Sequence, residues 1–202
     1  MESKLTKLAK DRSQLEYNML SKESINWFQQ KVRNIRNPNY EIMSISRERQ
    51  RKVVLPLLGR LYFFHYDPKY ADVLPYYDVF PLVLMLKRYN DGFLGLNLHY
   101  LPIVYRAAFL DRLMNLAVLN ENDDPERVRI SYSILTSSRK YKAFEPCLKR
   151  YLYTQMGSRL MRVEPNEWET ALFLPVERFR QDGMAIAKNK VFKESIQKIR
   201  KG

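Results

Sequence analysis

Two histidines and a group of aspartates are the residues in this chain whose types and spacing suggest chemistry. His65 and His99 each lie in an apolar stretch beside tyrosines. If both face one side of a sheet they can meet, with Asp67 or Asp78 completing a metal site. Asp67, Asp72, Asp78 and Asp91 form the densest carboxylate group, the kind of set from which a Mg²⁺-dependent nuclease would draw its ligands. Simpler readings carry more weight. A strand histidine is more often hydrogen-bonded for structure, and these aspartates stand near Pro and Gly, where short carboxylates stabilise turns. The Glu-x-Lys spacing of a common nuclease motif occurs once, at Glu2-Ser3-Lys4, away from any sheet candidate. The phosphate-cradling loops G-x-x-x-x-G-K-[ST] and G-x-G-x-x-G do not occur. Cys147 is the single cysteine, so one chain builds neither a disulfide nor a thiolate zinc site, and its setting beside Pro146 and Leu148 reads as core. No catalytic residue, metal or cofactor is expected.

Charge points to a different class of function. The formal net charge is +13, unevenly spread. Residues 1–59 hold 12 basic and 6 acidic side chains (+6), residues 60–135 hold 8 and 9 (−1), and residues 136–202 hold 15 and 7 (+8). A neutral middle with basic flanks suits a polyanionic partner, nucleic acid before an anionic membrane. Arg47, Arg49, Arg51 and Lys52 cluster within six positions, and Arg139-Lys140-Tyr141-Lys142 and Lys149-Arg150-Tyr151 set aromatic rings among cations. Cations neutralise phosphates and aromatic faces stack bases, so these are the nucleic-acid candidates, with Tyr141 and Tyr151 as stacking groups. Solvated surface charge and packed tyrosines are the bland alternative. No hydrophobic run reaches the ~20 residues of a membrane span. The opening MESKLTKLAKDR has no apolar region of a secretory signal, so an intracellular type of chain is expected.

The elements that must position these groups centre on residues 59–102. Apolar runs at Leu61–Tyr66, Phe80–Tyr89 and Leu96–Leu101, bounded by Asp-Pro, Leu-Pro and Asp-Gly, predict strands, with a turn at Asn90–Gly95. Gly95 serves either a bulge or close backbone packing. Before this sheet, Ser13-Gln-Leu-Glu16 has capping-box spacing, and Ile25, Phe28, Val32 and Ile35 recur at helical intervals with Trp27 beside them. Residues Ile25, Trp27 and Phe28 must dock on the chain's own core or on a partner. After the sheet, Pro102 opens a helix through Ala107 and Leu110. Residues 128–141 fit strand and helix equally. Glu145-Pro146 predicts a helix through Tyr151 and Leu152, Arg159–Val163 a returning strand, and Pro165–Trp168 a helical turn packed under Ala171–Leu174. The tail permits a basic amphipathic helix around Val191, Phe192, Ile196 and Ile199. The expected fold is α+β: a small SH3-like antiparallel β-barrel with N-terminal helices and an inserted helical segment. Its expected divisions are a basic helical arm and linker (1–58), the barrel domain (59–180, insertion at about 102–155) and a basic C-terminal tail (181–202).

The segments Tyr66–Lys69, Leu74–Leu82, Gly92–Leu101, Pro146–Leu152 and Glu167–Pro175 resemble the DNA end protector proteins of T4-like tailed phages of marine bacteria. The resemblance covers roughly residues 21–198 and is most distinctive in Gly92–Leu101 and Glu167–Pro175. It implies a virion protein, in the host cytoplasm during assembly, that binds the ends of packaged linear double-stranded DNA by occupancy and has no membrane partner. A head, neck or baseplate assembly protein docking on other phage structural proteins is the alternative. A metal-dependent nuclease using Asp67 and Asp78 is the third.

Overall fold

The computed structural model describes residues 22–27, 29, 58–118, 145–174 and 177–201. The capping box at residues 13–16, the Arg47–Lys52 cluster and the ambiguous 128–141 segment lie outside them. The central hairpin joins β3 (Leu82–Tyr89) to β4 (Gly92–Asn97) through Asn90-Asp91, in antiparallel register from Val83↔Asn97 to Tyr89↔Gly92. Strand β4 thus begins inside the expected Asn90–Gly95 turn. Gly95 shows why: a Cβ there would strike the Val83 side chain and lie 2.9 Å from the Leu84 carbonyl oxygen. The close-packing reading of Gly95 is the one realised; the bulge lies on the facing strand. The register of β3 slips opposite it, where Met85 faces Gly95 but Lys87 faces Leu94. Leu86 is the extra residue of a β-bulge, which moves Lys87 to the face that simple alternation would deny it.

Around this hairpin a five-stranded sheet forms in the order β5-β4-β3-β1-β6, with β1 at Leu61–Phe63, β5 at Leu148–Leu152 and β6 at Met161–Val163. The returning strand expected near Arg159–Val163 is β6, paired antiparallel to β1. Two expectations are corrected. The helix predicted from Glu145 through Leu152 is a 3₁₀ turn, Glu145–Cys147, followed by β5. Leu148 and Leu152 have helical spacing, but β5 satisfies the open edge of β4, and Tyr151 then packs against Phe93. The run Leu96–Leu101 leaves the sheet at Asn97, whose side chain accepts from the His99 amide and starts the 3₁₀ turn Leu98–Tyr100. The sheet does not close into the expected barrel: β5 and β6 are its two edges among the described residues.

A second sheet, β2-β7-β8, pairs Tyr77–Asp78 with Phe179–Gln181 and then Met184–Ala185. Its hairpin turns at Asp182-Gly183, with φ of 48° and 75°. Positive φ at both positions fits an Asp-Gly two-residue turn. Three helices follow the start of the sheet: α1 (Ile103–Val118) after Pro102, α2 (Trp168–Leu172) and α3 (Lys188–Lys201). Trp168 joins Ala171, Leu172, Phe173 and Leu174 in the core as expected, and Val191 anchors α3 there. A fourth helical segment, residues 22–27 and 29, packs Trp27 against the same core, with its ring 6.4 Å from that of Phe63. Opposite lies a second, more aromatic cluster of Tyr62, Phe64, Tyr66, Phe93 and Tyr151.

One buried cation ties three elements together. Arg106 of α1 is fully buried and donates to the Leu98 and Leu101 carbonyls at 3.1 and 3.0 Å and to Glu177 at 2.9 Å. Glu177 also lies 3.7 Å from Lys188 at the start of α3. Burial alone would raise the Glu177 carboxyl, but Arg106, His99 and Lys188 more than reverse this and hold it at about 2, below its ordinary 4.5. A depressed acid stabilises the fold above its unfolded value and ceases to do so as pH falls through the folded one. The shift corresponds to about 3 kcal/mol at neutral pH. Urea denaturation should therefore show the native chain exceeding Glu177→Gln by an amount that shrinks as pH drops from 4.5 to about 2; a pH-independent difference would refute the linkage.

Candidate nucleic-acid interface

Of the nominated contacts, Arg47, Arg49, Arg51, Lys52, Arg139, Lys140, Tyr141 and Lys142 lie outside the described residues, as does Phe28. The three on β5 meet different fates. Tyr151 is buried, stacked on Phe93 at 5.2 Å and met edge-on by Phe64 and Tyr66 at 5.1 and 4.9 Å. No face of its ring is open to a base, so the stacking role expected of it is corrected to a packing one. Lys149 is partly buried with its ammonium 4.3 Å from the centre of the Tyr100 ring. Burial lowers its pKa, with the Lys198 charge adding to the effect. Arg150 alone of the three reaches the surface.

There Arg150 joins residues that charge counting overlooked. Lys87, Leu94 and Arg150 are in register across β3, β4 and β5. Tyr89 is exposed, with the Arg150 guanidinium carbon 4.2 Å and the Lys87 ammonium 5.3 Å from its ring centre. Arg150 Nη1 donates to the Tyr151 carbonyl at 2.8 Å, and Nη2 pairs with the Asp91 carboxylate. Gly92 makes the arrangement possible, since a Cβ there would overlap the Tyr151 carbonyl oxygen and crowd Arg150 Nη1. Arg88, also exposed, points to the other face with Phe93. Burial raises the Tyr153 hydroxyl, and Arg88 and Arg150 partly offset that rise. The signal available in the sequence was Lys87-Arg88-Tyr89 followed by a turn; the bulge that sorts its side chains was not.

A second basic surface runs along α3. Val191 and Ser195 are buried and Ile199 packs partly on the core, an i, i+4, i+8 stripe. Lys190, Lys193, Gln197 and Arg200 fall on the opposite, exposed side. Three cations are thus spread over about 15 Å of helix. The amphipathic tail helix of the sequence reading is present, and its apolar side is committed to the chain's own core.

The histidines do not meet in a metal site. His99 Nδ1 lies 2.8 Å from Asp78 Oδ2, both side chains fully buried. Asp78 also accepts from Asn97 at 3.1 Å and from the Phe80 amide at 3.1 Å. His65 instead packs edge-on to Phe80 at 5.1 Å, in space left by Gly157. Among the described residues no three His, Cys, Asp or Glu side chains converge on one point. Asp78 is therefore a buried acceptor linking β2, the end of β4 and the following turn, while Asp67 is exposed. Cys147 is buried, and burial pushes its thiol up to about 12, consistent with core packing. Of the docking trio, Ile25 is exposed, while Trp27 donates to Glu167 at 3.2 Å and packs within the chain.

A family model described as Phage T4 terminal DNA protecting protein matches residues 4–195. The chain belongs to this family. Searches of curated proteins and of solved structures found no match. The segments Gly92–Leu101 and Glu167–Pro175, on which the sequence resemblance is most distinctive, supply Phe93, Leu96, Leu98, Trp168 and Leu172 to the core. Among the described residues no helix is long and apolar enough to cross a membrane.

Removing a buried carboxylate that holds two side chains and an amide leaves their donors unpaired. Asp78→Ala should lower unfolding free energy by about 3 kcal/mol or more, measured in urea. A change below about 1 kcal/mol would show that the network is not structural.

Proposed function

We propose that this chain binds the ends of linear double-stranded DNA in a phage particle, after assembly in the host cytoplasm, and shields them by occupancy without catalysing a reaction. The observation that carries this reading is the family match over residues 4–195, whose description is a terminal DNA protecting protein. The charge of +13 and the exposed stripe of Lys190, Lys193 and Arg200 supply a physical means, because each phosphate they neutralise releases condensed counterion. Arg47, Arg49, Arg51, Lys52, Arg139, Lys140 and Lys142 are further proposed phosphate contacts, and Tyr141 a proposed stacking group.

Exposed Tyr70, Val73, Leu74 and Met184 favour a second, compatible reading in which this protein docks on another phage structural protein. Co-purification with a particle subassembly after nuclease treatment, lost on Val73→Asp, would support it.

The proposed function predicts protection from exonuclease for linear duplex DNA and none for a nicked circle of the same sequence. Equal protection of both would contradict end binding. Replacing Lys190, Lys193 and Arg200 together by alanine should make the plot of log affinity against log salt shallower by about 2 to 3. An unchanged slope would remove α3 from the interface.

A further inference from the structure

The geometry points to a phosphate-binding site at the tip of the β3–β4 hairpin, in which Asp91 occupies the position of a DNA phosphate on Arg150 until DNA displaces it. This rests on the proposed DNA-binding function and names one point of contact within it. The Arg150 guanidinium is held by a ring and a backbone carbonyl before any ligand arrives. Tyr89 lies under it at 4.2 Å, the Tyr151 carbonyl accepts from Nη1 at 2.8 Å, and the space is kept open by Gly92. With Nη1 engaged by the Tyr151 and Phe93 carbonyls, Nη2 is the donor turned to an oxyanion, and little side-chain freedom remains to be lost on binding. Its present oxyanion is the Asp91 carboxylate.

Asp91 is the weak member of this set. Its side chain is 68% exposed against 35% for Arg150, and it stands at the turn where β3 passes to β4. Exposed ion pairs of this kind contribute little to stability, so exchange of one anion for another costs little. Lys87 lies in register with Arg150 and 5.3 Å from the same tyrosine ring, supplying a second cation to the incoming phosphodiester. Two cations, Lys87 and Arg150, thus share one face of the hairpin tip, where Arg150 pairs with the single carboxylate of Asp91. The carboxylate lowers affinity for phosphate at this site, which penalises weak, dispersed contact with duplex DNA more than contact reinforced by other cations.

The test measures binding of a blunt linear duplex by the full-length chain across a salt series. Asp91→Asn keeps the size and polarity of the side chain and removes its charge. It should tighten binding by about two- to fivefold and steepen the salt dependence by up to about 0.9. In an Arg150→Ala background the same change should have no effect. Asp72→Asn, an exposed aspartate elsewhere, controls for the simple gain of one unit of net charge and should tighten binding less. Tightening that persists without Arg150, or that Asp72→Asn reproduces, overturns the phosphate-exchange site while leaving DNA binding intact. Absence of salt-dependent binding by the unaltered protein overturns the DNA-binding function and this site with it.

Discussion

The five residues Leu82 to Leu86 are all buried, and they form most of the middle strand of a five-stranded sheet. A strand with successive side chains on opposite faces can satisfy this only if both faces of the sheet are covered. The rest of the structure follows from that constraint. One face takes α1, α2, α3 and Trp27, and the other is filled by Tyr62, Phe64, Phe93 and Tyr151. With both faces spent on packing, polar chemistry is displaced to ends and edges. Asp78 and His99 sit where β2 meets the end of β4, and Arg106 with Glu177 binds the start of α3 to α1. These buried polar groups act as ties between elements, and their hydrogen bonds offset the cost of removing them from water.

Among the described residues no metal-binding cluster is found, and under the proposed function the contacts to DNA lie on what the sheet holds outward. The bulge at Leu86 and the missing side chain of Gly92 aim Lys87, Tyr89 and Arg150 at one place. The burial of Val191 and Ser195 fixes which side of α3 meets solvent. In both cases an apolar packing decision sets the direction of the cations. Occupancy of a DNA end, as proposed, calls for rigid support and outward charge.

Much of the scaffold was legible in the sequence. Strands β1, β3 and β6, the helix after Pro102, the turn before Trp168 and the amphipathic helix around Val191 all follow from periodicity and turn residues. The failures have local causes. Leu148 and Leu152 mimic a helical period, whereas the open edge of β4, invisible to a local pattern, draws the segment into a strand. Asp182-Gly183 was a clear hairpin signal set in a stretch read for its charge alone. Tyr151 looked like a stacking group because Lys149 and Arg150 precede it, yet β alternation sends it inward and Arg150 outward. The Asp78–His99 contact was half anticipated: the two were weighed as partners in a metal site that a hydrogen-bonded structural histidine outweighed, and the structure pairs them with each other.

End binding differs from general duplex binding in stoichiometry, and that difference tests the central claim most directly. Protein bound at saturation should be counted, by particle mass, on blunt duplexes of increasing length at fixed salt. The account predicts a number set by the two ends and independent of length, with closed circular DNA left bare. A number that rises in proportion to duplex length would contradict it.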